Sequence, residues 1–80
     1  MSYGAEATRI LAYVAGNEPV TSHHVVAEEL GMDLITTDEA LLLLERRGLV
    51  DFWISMVGDY VTIQTTAQGA AFAQTGQQVE

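Results

Sequence analysis

The side chains with the most evident chemistry in this sequence are two adjacent histidines, His23 and His24. They fall in the first turn of a predicted helix, where free backbone N–H groups can bind an anion such as a phosphate. His24 also precedes Glu28 by four residues, so these two side chains share a helix face and offer two ligands to a metal ion. Because no third ligand is near, we predict no metal and no other cofactor, and we expect both histidines to be ordinary exposed residues.

Catalytic arrangements are missing from the sequence. It has no Gly-rich phosphate-binding motif, no cysteine for a Cys–His pair, and no predicted pair of inward-facing carboxylates. Ser22 and His23 are neighbours along the chain, which is not the spatial arrangement of a catalytic triad. A chain this short is also too small to build a deep pocket by itself. We therefore predict that the protein is not an enzyme.

The composition predicts one small acidic domain spanning residues 1–80. The chain is 49% hydrophobic, has three Lys+Arg against eleven Asp+Glu, and carries a formal net charge of -8. The apolar fraction exceeds that of disordered chains, and no apolar run approaches the roughly 20 residues of a membrane helix. Without a signal peptide or cysteines, we expect a cytoplasmic protein that binds no membrane. The negative charge repels phosphate backbones and favours basic partners.

Hydrophobic periodicity predicts three helices that position these residues. The first runs from Glu6 to Ala15 and has Ser2 as its candidate N-cap. The second begins after Thr21 or Ser22 and ends at Gly31, a residue type common just after helices. The third runs from about residue 34 to residue 47. Its start is open, because Asp33 is a good N-cap and residues 36–39 (TTDE) form a capping box. Its inward stripe comprises Thr37, Ala40, Leu41 and Leu44.

Alternating residues predict a β-hairpin over 50–57 and 60–65, with Gly58 and Asp59 as a two-residue turn. This turn pairs Val57 with Tyr60 and turns three side chains away from the core: Trp53, Val57 and Tyr60. A short helix over residues 66–73 follows, capped by Thr66, with Ala70 and either Phe72 or Ala73 packed inward. We expect residues 76–80 to form a frayed tail.

Three helices, a hairpin and a short helix make a winged helix-turn-helix arrangement. Residues 26–32 (VAEELGM) resemble the first helix and turn of a helix-turn-helix. In this segment Ala27 permits close crossing of the two helices, and Gly31 adopts the backbone conformation of the turn. Residues 44–50 (LERRGLV) resemble the end of the recognition helix and the entry into the first strand in MarR-like regulators. Residues 66–69 (TAQG) match the Thr-x-x-Gly that these regulators carry after the wing. The resemblance covers about residues 6–73. It implies an α+β fold of three helices, a two-stranded wing and a short C-terminal helix, and it implies DNA binding.

The outer face of the third helix argues against this usual role. Readers of DNA carry basic or amide side chains there, which bind base edges and phosphates. Six residues share this face here, in two rows that each read apolar, acidic, apolar: Leu34, Asp38 and Leu42, then Ile35, Glu39 and Leu43. Such a face sets carboxylates against phosphates and leucines against a polar groove. The predicted wing, from Met56 to Tyr60, has one acid and no basic residue.

We therefore predict a module that acts through protein–protein interaction, with a second copy of itself or a regulatory partner. Its predicted interface consists of the six residues above together with Trp53, Val57 and Tyr60. Exposed Trp and Tyr are enriched at interfaces because they bury much area at low entropic cost.

The alternative is a dimeric DNA-binding transcription regulator. Its candidate DNA-binding residues are His23, His24, Arg46 and Arg47. The two arginines also fall near a helix C-terminus, where they favourably oppose the helix dipole. The remaining basic residue, Arg9, is expected to be a solvated charge near Glu6.

Overall fold

In the part of the chain that the structure describes, four helices and two strands follow one another in the order that the sequence predicts. A computed structural model describes residues 3–54 and 60–79, and gives the backbone alone for residues 54, 60 and 61. The elements are α1 (Gly4–Asn17), α2 (His23–Leu30), α3 (Leu34–Arg46), β1 (Val50–Ile54), β2 (Tyr60–Thr65) and α4 (Ala67–Thr75). This is the predicted α+β fold, a winged helix-turn-helix. No described helix is both long and apolar enough to cross a membrane.

Side-chain caps set the start of α2 and α3. The Ser22 hydroxyl accepts a hydrogen bond from the His24 N–H at 3.1 Å. Asp33 Oδ1 accepts one from the Thr36 N–H at 2.7 Å, so α3 begins after Asp33 and not at the capping box. Gly31 follows α2 with φ at 66°, a left-handed conformation that side chains with a Cβ resist. Gly31 and Asp33 together give the tight turn between α2 and α3, the two helices of the helix-turn-helix.

The first helix starts two residues earlier than its apolar pattern indicates. Its N-cap position is Tyr3, which makes no side-chain cap, and the Tyr3 carbonyl accepts the Ala7 N–H at 2.7 Å. Ser2, the predicted cap, lies outside the described residues. A helix can start without a side-chain cap when its apolar face is well buried, because packing supplies most of its stability.

The hairpin has a register two residues away from the predicted one. Phe52 pairs with Ile63, whereas a two-residue Gly58–Asp59 turn would pair it with Thr65. A shift between Trp53 and Ile54 then places Ile54 opposite Tyr60, so Tyr60 has another partner than the one that the two-residue turn predicts. Val57 and the predicted turn at residues 58 and 59 lie outside the described residues. Because side chains alternate with period two, the offset of two residues leaves the side chains of residues 50–53 and 62–65 on their predicted faces.

A contact from outside the hairpin holds this register. Val20 and Ile63 exchange two backbone hydrogen bonds, of 2.9 Å and 2.7 Å, along the free edge of β2. Both side chains are buried, and Val50 on β1 is fully buried beside them. The chain before α2 therefore fixes which residue of β2 reaches the core, an interaction that hairpin turn rules do not include.

The core lies between α1 and α3 and is closed by the inner face of the hairpin. Residues with at most 1% exposure include the whole predicted stripe of α3: Thr37, Ala40, Leu41 and Leu44, together with Ala7, Ile10, Leu11, Val14, Val26, Val50 and Ile63. Burying a large aliphatic side chain contributes about 1.5–3 kcal/mol, so this set supplies most of the driving force for folding.

The segment after α4 differs from the frayed tail that the sequence predicts. α4 runs to Thr75 and ends at Gly76, after which the chain returns to the body of the fold. Val79 is 2% exposed and belongs to the hydrophobic core. Its N–H donates to the Thr8 hydroxyl at 2.8 Å. One apolar side chain near the end of a polar segment is enough to dock it on α1.

Candidate functional site

The outer surface of α3 is most exposed at its amino-terminal end. Ile35 has 76% of its surface exposed, Leu34 has 37%, and Glu39 is exposed beside them. Leu42 and Leu43 are only half-buried, and Leu43 packs against the core. The structure thus divides the six predicted residues into an exposed group at the start of α3 and a partly covered pair nearer its end.

Asp38, the remaining member of that face, is engaged with another helix. Its Oδ1 lies 2.6 Å from Nδ1 of His23, which is the first residue of α2. His23 is 7% exposed, so the expectation that it is an exposed residue is wrong. His24 is exposed, as expected, and its ring meets that of His23 edge-on at 4.5 Å between centroids. The pair therefore joins the start of α2 to the second turn of α3.

Arg9 also has a structural partner. Its Nη2 donates to the Leu30 carbonyl at 2.7 Å, at the last residue of α2. Arg9 is exposed, as expected, but its guanidinium also satisfies a carbonyl that the helix leaves without an intrahelical partner. The contact ties α1 to the turn of the helix-turn-helix.

The other two basic residues are exposed at the opposite end of α3. Arg46 is its last residue and Arg47 is its C-cap. At 1.5 Å per residue, about 18 Å of helix separates Leu34 from Arg46. The exposed cations are therefore distant from the exposed apolar and acidic group at the start of α3.

Of the three hairpin residues in the predicted interface, Trp53 is the one whose side chain the structure describes. It lies on β1 opposite Thr62, on the outer face of the hairpin, with 55% of its surface exposed. Val57 and the side chain of Tyr60 lie outside the described residues. Trp53 adds a large apolar surface on an element separate from α3.

The electrostatics of the turn into α3 centre on Asp33. The Thr36 backbone N–H, and then the Thr36 side chain, lower the pKa of the Asp33 carboxyl below its usual value. Among the described residues, no three histidine or acidic side chains come close enough to hold a metal ion. The start of α3 is therefore an exposed apolar surface flanked by the carboxyl groups of Asp33 and Glu39.

The fold also forms a groove that the sequence does not predict. It lies between the end of α3, α4 and the returning segment, and has a volume of about 520 Å³. The returning segment lines one side of the groove, and it is held there by the contact of Val79 with Thr8 on α1. The single apolar residue in a polar tail is the one hint that the sequence offered.

Comparison with known proteins shows structural matches without sequence matches. No protein-family model matches the chain, and no curated protein matches it in sequence. The PcaV transcriptional regulator of Streptomyces coelicolor, in complex with its natural ligand, is 22% identical with a TM-score of 0.76; the match covers 88% of this chain and 50% of that one. FabT of Streptococcus pneumoniae, solved in complex with DNA, is 21% identical with a TM-score of 0.73, over 88% of this chain and 49% of that one.

MepR of Staphylococcus aureus, solved as a DNA complex, is 20% identical with a TM-score of 0.74; the match covers 86% of this chain and 52% of that one. The chain thus spans about half the length of the structures it matches. At these identities the matches establish the fold, and they confirm the resemblance to MarR-like winged-helix regulators at that level. PcaV and MepR are named as transcription regulators, not as enzymes.

Proposed function

We propose that this chain is the winged-helix module of a DNA-binding transcription regulator that places α3 in the major groove. The observation that carries the proposal is the fold match to FabT and MepR, each solved with DNA. These matches support the DNA-binding alternative better than the protein-interaction role that charge and surface pattern favoured. Because fold similarity does not fix function, the proposal must also account for the acidic surface of α3.

The chemistry of that surface is compatible with reading bases. In a helix-turn-helix, residues in the amino-terminal part of the second helix contact base edges. Here Leu34, Ile35 and Glu39 occupy the exposed positions. An aliphatic side chain recognises the methyl group of thymine, and a carboxylate accepts a hydrogen bond from the cytosine N4 amino group. The expected target site therefore presents thymine and cytosine to α3.

Contacts to the DNA backbone would be few. Arg46, Arg47 and His24 are the exposed candidates, whereas Arg9 is held by Leu30 and His23 is buried. Neutralising about two or three phosphates per chain predicts a slope of log K against log salt of about -2 to -3. Two copies on adjacent half-sites would double that slope. Binding would thus depend on base contacts more than on charge.

The test is selection of duplexes from a random pool, followed by fluorescence anisotropy on the enriched sequence across a salt titration. We expect enrichment of a defined site and the shallow slope given above. Ile35→Ala and Glu39→Gln should relax the preference at individual base pairs, while Arg46→Gln should weaken binding to all duplexes alike. Failure to enrich any sequence, with no binding at low salt, would refute the proposal.

A protein-binding role is the second candidate, and the exposure of Ile35 and Trp53 favours it. Large exposed apolar side chains beside carboxylates suit a partner with apolar and basic residues, or a second copy of this chain. Sedimentation equilibrium measures self-association directly. If the chain self-associates through this surface and binds no DNA, Glu39→Arg should weaken the association and Arg46→Ala should leave it unchanged.

A further inference from the structure

We infer that DNA binding by this chain takes up a proton at His23, so that acidification strengthens the binding. His23 is the first residue of α2, and its Nδ1 lies 2.6 Å from Oδ1 of Asp38 in the second turn of α3. The inference rests on the proposed function, because it concerns the charge of the surface that α3 would present to DNA. It assigns a role to a buried residue, since His23 is 7% exposed.

The contact between His23 and Asp38 can form at either charge of the imidazole. A neutral histidine can carry its hydrogen on Nδ1 and donate it to a carboxylate, and a protonated histidine carries a hydrogen on both ring nitrogens. Histidine is the side chain whose charge ordinarily changes between about pH 5 and 8. Protonation therefore leaves α3 in its position on α2 while it changes the net charge of the pair from negative to neutral.

Charged and titratable groups from three helices bear on the His23 ring. Asp38 meets it from α3, and the His24 ring meets it edge-on at 4.5 Å between centroids. α1 also packs against α2, but its cation Arg9 is bound to Leu30, about 10 Å further along that helix. The helix dipole at the start of α2 disfavours a cation, whereas the Asp38 carboxylate favours one. Protonation of His23 thus depends on Asp38.

Asp38 couples the charge of the pair to DNA because it belongs to the outer face of α3. Its side chain is 40% exposed, and it follows Leu34 by one helical turn on that face. The major groove is about 12 Å wide, and screening takes effect over about 10 Å at 0.1 M salt. A carboxylate on a helix in the groove is therefore repelled by the phosphates. A proton on His23 cancels this repulsion, and by linkage DNA favours that proton to the same extent.

The first test isolates His23 from the other histidine. His24→Gln gives up one candidate phosphate contact but leaves His23 as the one histidine of the chain. Fluorescence anisotropy on the selected duplex, at constant salt, measures affinity across pH. We expect the affinity of this variant to rise at least about fivefold from about pH 8 to about pH 5.5. Adding His23→Gln should remove most of the rise, while circular dichroism checks that both proteins stay folded.

Adjacent acids provide matched variants in the His24→Gln protein. Asp38→Asn should bind DNA more tightly than its parent at about pH 8 and gain less than about twofold on acidification. Glu39→Gln removes the same charge from the next position of α3, which is exposed, and should keep the full rise. The comparison separates the His23–Asp38 pair from the general effect of a less negative surface.

Calorimetry provides a readout that needs no substitution at His23. Titration of the His24→Gln protein with DNA, in buffers of different ionisation enthalpy, counts the protons taken up. We expect uptake of a measurable fraction of a proton, at most about one per chain, and less for the variant that also carries Asp38→Asn.

Several results would overturn the inference and leave the proposed function standing. They are DNA binding without proton uptake, a pH dependence that survives His23→Gln, and equal pH dependence for Asp38→Asn and Glu39→Gln. If no duplex binds at any pH, the proposed function fails and this inference fails with it. The presence or absence of binding therefore distinguishes the two failures.

Discussion

At the residue scale, Gly69 shows what the Thr-x-x-Gly after the wing accomplishes. The Thr66 hydroxyl donates to the Gly48 carbonyl at 2.7 Å and accepts the Gly69 N–H at 2.9 Å. It therefore caps α4 and ties that helix to the end of α3. Gly69 is needed because its Cα faces the backbone of Leu49 without room for a methyl group. Two residues thus set the close approach of α4 to the start of β1.

We predict that Gly69→Ala strongly destabilises the protein, because the added methyl group meets rigid backbone and not a flexible side chain. We expect a loss of about 1–3 kcal/mol or more in the free energy of unfolding, as for other overpacked sites. Gly16→Ala is the matched control: a Cβ there contacts nothing within 4 Å, and alanine favours the helix. Urea denaturation measures both, and equal stabilities for the two variants would contradict the prediction.

A second prediction at this scale concerns Asp33 and acid. Because the folded state lowers the pKa of this carboxyl, its contribution to stability is present above the unfolded-state pKa. That contribution is lost as pH falls through the folded-state value, so the loss falls below about pH 4. Asp33→Asn keeps an N-cap acceptor that does not titrate. Its thermal midpoint should fall less steeply with acid than that of the wild type, and parallel curves would count against this assignment.

At the element scale, polar contacts position the helix-turn-helix. Arg9 joins α1 to the end of α2, and the His23–Asp38 pair joins the start of α2 to α3. Helices that pack only through apolar side chains can slide, whereas directional polar contacts between them favour one arrangement. The acid at residue 38, which charge patterning assigns to a binding surface, therefore serves the orientation of α3.

We predict that His23 and Asp38 are energetically coupled. A double-mutant cycle with His23→Gln and Asp38→Asn should give an interaction energy of about 0.5–3 kcal/mol, as expected for residues in direct contact. The cycle of His23→Gln with Glu39→Gln is the control, since Glu39 is exposed on the next position of the helix. Additive effects in both cycles would show that the contact does not hold α2 on α3.

At the scale of the whole molecule, the net charge of -8 acts on stability as well as on partners. Like charges on a small surface repel in the folded state, and salt screens this repulsion. Two of the exposed acids, Glu28 and Glu29, also lie near the carboxyl end of α2, where the helix dipole disfavours negative charge. The folded chain is thus expected to gain stability from salt.

We predict that the thermal midpoint rises between 10 mM and 1 M NaCl, a range over which the screening length falls from about 30 Å to about 3 Å. Glu29→Gln should raise the midpoint at low salt and have little effect at high salt, because its benefit is electrostatic. Thermal denaturation followed by circular dichroism measures both proteins. A midpoint that is independent of salt would show that self-repulsion is negligible in this fold.

Much of this fold follows from local signals in the sequence. Ser22, Asp33 and Thr66 cap the helices that follow them, and Gly31 ends α2. Capping is determined within a few residues of the chain, because a side-chain oxygen reaches only the next turn. The buried stripe of α3 is determined in the same way, since the spacing of its residues places them on one helix face.

The remaining features depend on contacts between residues that are distant in the sequence. Alternation gives the faces of a strand but not its partner, so the hairpin register depended on the distant contact between Val20 and Ile63. His23 and Asp38 are separated by 15 positions, and the docking of Val79 on Thr8 spans 71. Such contacts leave no periodic trace in the sequence, because each depends on how whole elements pack. Local patterns in the sequence therefore specify the elements and their inner faces, whereas packing specifies which polar groups meet and where a groove opens.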